Sequence, residues 1–155
     1  MLEVGQIAPT FKKPANNGQT INLEDYRGKN VVLYFYPKDS TPGCTTEACD
    51  FRDYHAEFST LNTVVLGVSP DSVTSHDKFI AKHELPFPLI ADEDHSVAEA
   101  YGVWVLKKMY GREYMGIERS TFILDTEGKI AQIYPKVKVK DHVQQVVAYI
   151  KEHLV

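Results

Sequence analysis

The sequence predicts an α/β fold in which a central mixed β-sheet carries helices on both faces. Three observations predict it. Residues 30–36 and 63–68 are almost continuously apolar and rich in β-branched and aromatic side chains, as in strands buried on both faces of a parallel sheet. Helical periodicity follows each run, at about residues 44–61 and 72–83. A late pair of β-runs, residues 119–124 and 129–134, is joined by the turn Asp125-Thr126-Glu127-Gly128 and adds antiparallel strands. Strand–helix–strand alternation implies right-handed crossovers and parallel pairing for the first part of the sheet.

The elements are read in order. The first thirty residues are rich in turn signals, at Pro9, Pro14, Asn16-Asn17-Gly18 and Arg27-Gly28. Asn17-Gly18 before Thr20-Ile21-Asn22-Leu23 suggests a short hairpin. Pro37 ends the first long strand, and residues 38–42 read as a loop. The first helix is expected from about Cys44, with Ala48, Phe51, Tyr54, His55 and Phe58 recurring at three- and four-residue steps. In the second, Val73, His76, Phe79 and Ile80 share a face. Residues 87–91 suit a short strand, and residues 96–101 a short helix ending at Gly102. Residues 106–116 are basic, aromatic and punctuated by glycine, and are expected to form a loop or an edge. Residues 141–153 form a closing amphipathic helix, with Asp141 as its cap and Val143, Val146, Val147 and Ile150 as its apolar stripe.

Composition excludes several classes. The 155 residues suffice for one domain, 1–155, that buries a core without disulfides. Hydrophobic residues make up 43%, which argues against disorder. A net charge of −4 lacks the basic footprint of a nucleic-acid binder. No apolar run is long enough to span a membrane, and the first residues lack a secretory leader, so a cytoplasmic location is expected.

Cys44 and Cys49 are the only cysteines. In a reducing compartment such a close pair points to catalysis, redox exchange or metal binding rather than to a structural disulfide. Cys44 follows a buried strand and a turn containing Thr41, Pro42 and Gly43, and falls in the first turn of a helix. Ligands of open α/β sheets bind beyond the carboxyl ends of the strands. Free backbone N–H groups and the helix dipole favour an anion there, and the thiolate is the nucleophilic form of cysteine. Thr41 can place a hydroxyl beside the sulfur. The alternative is a buried cysteine serving as a small hydrophobe.

At these residues the sequence resembles the peroxiredoxins, whose motif Pro-x-x-x-Thr/Ser-x-x-Cys is matched by Pro37, Thr41 and Cys44. The resemblance is closest to the Q-type, or bacterioferritin-comigratory, subfamily, which has a second cysteine five residues on, matched by Cys49. The segment from Tyr114 to Phe122 looks like the one that carries that family's active-site arginine, here Arg119. Val4-Gly5-Gln6-Ile7-Ala8-Pro9-Thr10-Phe11 and Tyr101-Gly102-Val103-Trp104 are also similar, so the likeness spans the chain. It implies a thioredoxin-like fold and reduction of hydroperoxides; separately, the chain has no GxGxxG, P-loop or haem-attachment motif and no HExxH or paired Cys/His spacing, so no bound cofactor or metal is expected. The resemblance also implies that a Cys44 sulfenic acid is resolved by Cys49 as an intrachain disulfide, with thioredoxin as reductant.

Within that reading, the Thr41 hydroxyl, the amides of Gly43 and Cys44, and the Arg119 guanidinium are candidate donors to the peroxide oxygens, and Pro37 shields the site from water. Glu47 either orients Arg119 or is an ordinary helix acid near the positive dipole end. On one α-helix, Cys44 and Cys49 would be separated by a rise of about 7.5 Å and point about 140° apart. That exceeds the span of a disulfide, so the helix start must unwind for the bond to form. An intrachain resolving thiol needs no second subunit, and a monomer is expected. Two competing functions are weighed. A general thiol–disulfide oxidoreductase is disfavoured because the spacing is not Cys-x-x-Cys. A metal or protein-binding module using Cys44, Cys49 and His55 lacks a fourth ligand. The histidines are read as surface or helix-face residues, Tyr101 and Trp104 as packing, and Lys136-Val137-Lys138-Val139-Lys140 as a solvated edge.

Overall fold

The computed structural model describes residues 2–155. Five strands form the central sheet: β3 (Asn30–Phe35), β4 (Thr63–Ser69), β5 (Leu89–Ala91), β8 (Ser120–Leu124) and β9 (Ile130–Tyr134), in the order β5-β4-β3-β8-β9. The β5, β4 and β3 strands are parallel, whereas β8 and β9 run antiparallel to their neighbours, so the sheet is mixed as the sequence predicts. A hairpin of β1 (Lys12–Pro14) and β2 (Thr20–Asn22) precedes it, turned by a single 3-10 turn at Asn16–Gly18.

Every residue of β3 is buried, because strands flank it on both sides and layers cover both faces. Period-two alternation divides its side chains between two cores. Val31, Leu33 and Phe35 join one with Ile21 of the first hairpin and Val97 and Ala98 of α4 (Ser96–Ala100). Val32, Tyr34 and Tyr36 face the other. There they meet Cys44, Ala48 and Phe51 of α1 (Pro42–Asp53), Phe58 of α2 (His55–Thr60), Phe79 of α3 (Val73–His83), and Val143, Val146 and Ile150 of α5 (His142–His153). Tyr34 lies opposite Gly67 of β4, and a Cβ there would stand 3.0 Å from the phenol oxygen and 2.6 Å from Leu89 Cδ2. The glycine makes room for the tyrosine ring, which stacks on Phe51 with centroids 4.6 Å apart.

Four sequence expectations are corrected. Helix α1 begins at Pro42, two residues before Cys44, because proline suits the first helical position, and the helical stretch breaks at Tyr54 into α1 and α2. Residues 106–116, expected as a loop or an edge, are neither an irregular loop nor an edge of the main sheet: β6 (Trp104–Met109) and β7 (Arg112–Ile117) pair as a separate hairpin. Its outward residues are mostly exposed, so no buried face imposes an alternation. Asp141 stands at the start of α5 in the left-handed region, with φ of 63°, and its side chain makes no cap bond. Residues 136–140 form no strand, although the Val137 N–H donates to the Arg119 carbonyl.

Candidate active site

The turn after β3 and the first turns of α1 bring the two cysteines and their neighbours together. Thr41 precedes the helix in an extended conformation, Pro42 opens it, and Cys44 lies in its first turn with its side chain buried. The Thr41 hydroxyl donates to the Lys38 carbonyl at 2.9 Å, a bond that fixes its rotamer within the turn. Pro37 is half-buried at the end of β3. Both cysteines are free thiols, and both lie on the continuous helix α1, with Cys49 half-buried.

Arg119 enters from the other side, at the start of β8. Its register explains why it reaches: Ser120 pairs with Phe35, the last residue of β3, so Arg119 sits beside the turn that leads into α1. Its Nη2 donates to Cys44 Sγ at 3.2 Å and its Nη1 donates to Glu47 Oε1 at 2.7 Å. The guanidinium passes closely over the helix start, because a Cβ on Gly43 would stand 3.4 Å from Nη2. One fork thus holds the sulfur and a carboxylate of the same helix, with geometry that lysine does not offer. Burial pushes the Glu47 carboxyl up to about 7 despite the Arg119 charge, so the acid is near half-ionised at neutrality. Its Oε2, like the Tyr34 hydroxyl, is buried without a hydrogen-bond partner. Burial, then the nearby Glu47, Asp39 and Cys44 charges, push the Tyr34 phenol well above its ordinary value and keep it protonated.

Two further residues feel the guanidinium charge. His142 opens α5 and its Nε2 lies 2.8 Å from Thr121 Oγ1 on β8. Burial and the Arg119 charge push its pKa down to about 4, so it is a neutral brace at physiological pH. Lys107, half-buried on β6, is lowered by burial and by the Arg119 charge, which places the β6–β7 hairpin within electrostatic reach of the site. Cys44, Thr41 and Arg119 were legible as candidates in the sequence. Tyr34 and Lys107 carried no separate signal there. His76 and His142 lie on the buried faces of α3 and α5, within the helix-face reading, and each is hydrogen-bonded to an element distant in sequence, which the sequence did not show. Among the described residues, Cys44, Cys49 and His55 form no ligand cluster.

A buried cysteine at a helix start, joined to an arginine from the facing strand on a thioredoxin-like sheet, defines the class. The chain belongs to the AhpC/TSA family, whose model matches residues 4–133. Within it the chain falls among the Bcp, or Q-type, peroxiredoxins, which are thiol-dependent peroxidases. It is 56% identical over 151 residues to peroxiredoxin Bcp of Bacillus subtilis, covering 97% of this chain and 96% of the relative. Among solved structures it matches the bacterioferritin comigratory protein of Xanthomonas campestris, studied for its alkyl peroxide reduction activity. That match has a TM-score of 0.92 and 43% identity over 97% of this chain and 99% of the other. A cysteine-to-serine mutant of Xylella fastidiosa PrxQ superposes with a TM-score of 0.94 at 38% identity, over 99% of this chain and 98% of the other.

Proposed function

We propose that the whole chain, residues 1–155, acts as one monomeric unit that reduces hydrogen peroxide and organic hydroperoxides through Cys44. The observation that carries this reading is the Arg119 fork, 3.2 Å from Cys44 Sγ and 2.7 Å from Glu47 Oε1. A guanidinium there stabilises negative charge on the sulfur and then on the oxygens of the departing group. The Cys44 thiolate attacks one peroxide oxygen and the O–O bond breaks. The other oxygen leaves with a proton as water or an alcohol, and a sulfenic acid remains. The Cys49 thiolate then attacks the Cys44 sulfur, the sulfenic oxygen departs as water, and a disulfide closes. A dithiol such as thioredoxin restores both thiols by exchange. The Gly43 and Cys44 amides supply the remaining donors, the Thr41 hydroxyl, whose proton goes to the Lys38 carbonyl, accepts from the peroxide O–H, and Pro37 keeps water from the sulfur. The alkyl peroxide activity of the Xanthomonas campestris relative supports organic hydroperoxides as substrates. A cytoplasmic location fits a thioredoxin-dependent cycle, and no helix among the described residues is long and apolar enough to cross a membrane.

The test is a steady-state assay with thioredoxin or glutaredoxin as donor, coupled to a thiol count after one equivalent of hydrogen peroxide. Both thiols should disappear within seconds, and Cys44→Ser should remove all peroxide reduction. A Cys44→Ser protein that keeps its activity would overturn the assignment.

A further inference from the structure

Asp39 sits in the turn between β3 and α1, two residues before Thr41, and is buried. Its carboxylate accepts three hydrogen bonds: from the Tyr36 hydroxyl at 2.6 Å, from Ser75 Oγ at 2.8 Å, and from His76 Nδ1 at 2.7 Å. Its backbone N–H donates to Asp71 Oδ2 at 2.8 Å, and the Ser69 hydroxyl donates to the same oxygen at 2.7 Å. His76 is wholly buried, and its Nε2 lies 3.0 Å from the Ile90 carbonyl. Both ring nitrogens therefore face an oxygen partner, so the ring is held at both ends.

Asp39, Asp71 and His76 could be taken for metal ligands, since their donor atoms lie within 4.8 Å of one another. The contacts argue otherwise. Asp39 Oδ2 and His76 Nδ1 are in direct hydrogen-bond contact at 2.7 Å. Two ligands on one tetrahedral zinc, each about 2.0–2.2 Å from it, stand about 3.3 Å or more apart.

The network ties the turn to Tyr36, the residue that follows β3, to the end of β4 through Ser69, to α3 through Ser75 and His76, and to β5 through Ile90. None of these partners belongs to α1. The turn needs such anchoring, because Ser40 holds φ of 64°, a left-handed conformation that is strained for a non-glycine residue. We propose that Asp39 and His76 are positioning residues for peroxide reduction: they lock the strained turn that presents Pro37 and Thr41 to the substrate, independently of α1. The turn then keeps its shape while α1 rearranges to let Cys49 reach Cys44. This inference rests on the peroxidase reading of Cys44.

The experiment measures each half-reaction separately on the full-length reduced protein. Rapid-quench mass spectrometry follows Cys44 oxidation by hydrogen peroxide, then disulfide closure. His76→Phe should lower the second-order rate of Cys44 oxidation by about tenfold or more while disulfide closure changes by less than about threefold. His76→Asn keeps a donor near the Nδ1 position and should recover most of the oxidation rate. Ser75→Ala removes one bond to the carboxylate without touching the ring, and should show a smaller fall in the same step. It serves as the readout if His76→Phe does not fold. Unchanged oxidation rates, equal slowing of both steps, or no recovery in His76→Asn would overturn the inference. Loss of the peroxidase reading itself would show differently, as activity that survives Cys44→Ser.

Discussion

Arg119 and Glu47 meet at 2.7 Å in a place where neither is free to move away, because the carboxylate is fully buried and the guanidinium also donates to Cys44. Glu47 lies between Cys44 and Cys49 on α1, so the ion pair also pins the segment that must rearrange when the cysteines bond.

Removing the fork should cost catalysis more than folding. Arg119→Met is expected to slow Cys44 oxidation by about a hundredfold or more, the usual scale for a lost charge-stabilising donor. Circular dichroism of the reduced protein should be unchanged. An Arg119→Met enzyme of normal speed would reduce the 3.2 Å contact to a bystander.

Glu47 gives stability a pH signature. Its folded-state pKa is about 7 against an ordinary 4.5, so the folded protein holds that proton more tightly than the unfolded chain. The stabilisation is therefore fully present below about 4.5 and is lost as pH rises through about 7. Urea melts of wild type and Glu47→Gln at pH 5 and pH 8 should move relative to each other in favour of the glutamine by on the order of 2 kcal/mol. A gap that does not change with pH would mean that Arg119 keeps the carboxylate ionised throughout.

Oxidation should melt the start of α1. Cys44 and Cys49 are both free on one continuous helix, where a rise of about 7.5 Å separates them. Disulfide closure must break the first turns of α1. Hydrogen exchange from Thr45 to Phe51 should accelerate in the oxidised protein, while β3 stays protected. Cys49→Ser should consume one peroxide and stop at the sulfenic acid, open to further oxidation. Equal protection in both redox states, with the disulfide present, would refute the rearrangement.

Gly67→Ala tests the floor of the site. The new methyl would lie 2.6 Å from Leu89 Cδ2 and 3.0 Å from the Tyr34 ring. Overpacking should cost about 1–3 kcal/mol and lower Tm by several degrees, about 3 °C or more. It should also slow peroxide reduction, since Tyr34 stacks on Phe51 of α1. An unchanged melting curve would show that the core yields there.

What the sequence made legible follows from burial. β3 and β4 read clearly because both faces are covered and nearly every side chain must be apolar. Cys44 stood out because a strand, a Thr-Pro-Gly turn and a helix start are all local features. The β6–β7 hairpin was illegible: Leu106, Met109, Tyr110, Tyr114 and Met115 are exposed, so nothing enforces a pattern. Asp39 and His76 were missed for another reason. They bond across 37 positions of sequence, and neither residue type announces a partner that the fold alone supplies. Asp141 shows the limit of residue preference, since its left-handed backbone turns the side chain away from the cap bond it could have made.

The antiparallel insertion of β8 beside β3 has a consequence for how the enzyme comes into being. Cys44 and Arg119 are 75 residues apart, and they meet only when β8 has paired with β3. A chain emerging from the ribosome can assemble the parallel strands β3, β4 and β5 while one edge of β3 still lacks its neighbour. Until β8 arrives, that edge is open to wrong pairing and the thiol has no guanidinium beside it. Birth of the reactive centre is thus deferred to the last third of synthesis, and a truncated or half-made chain carries a cysteine without its activating partner.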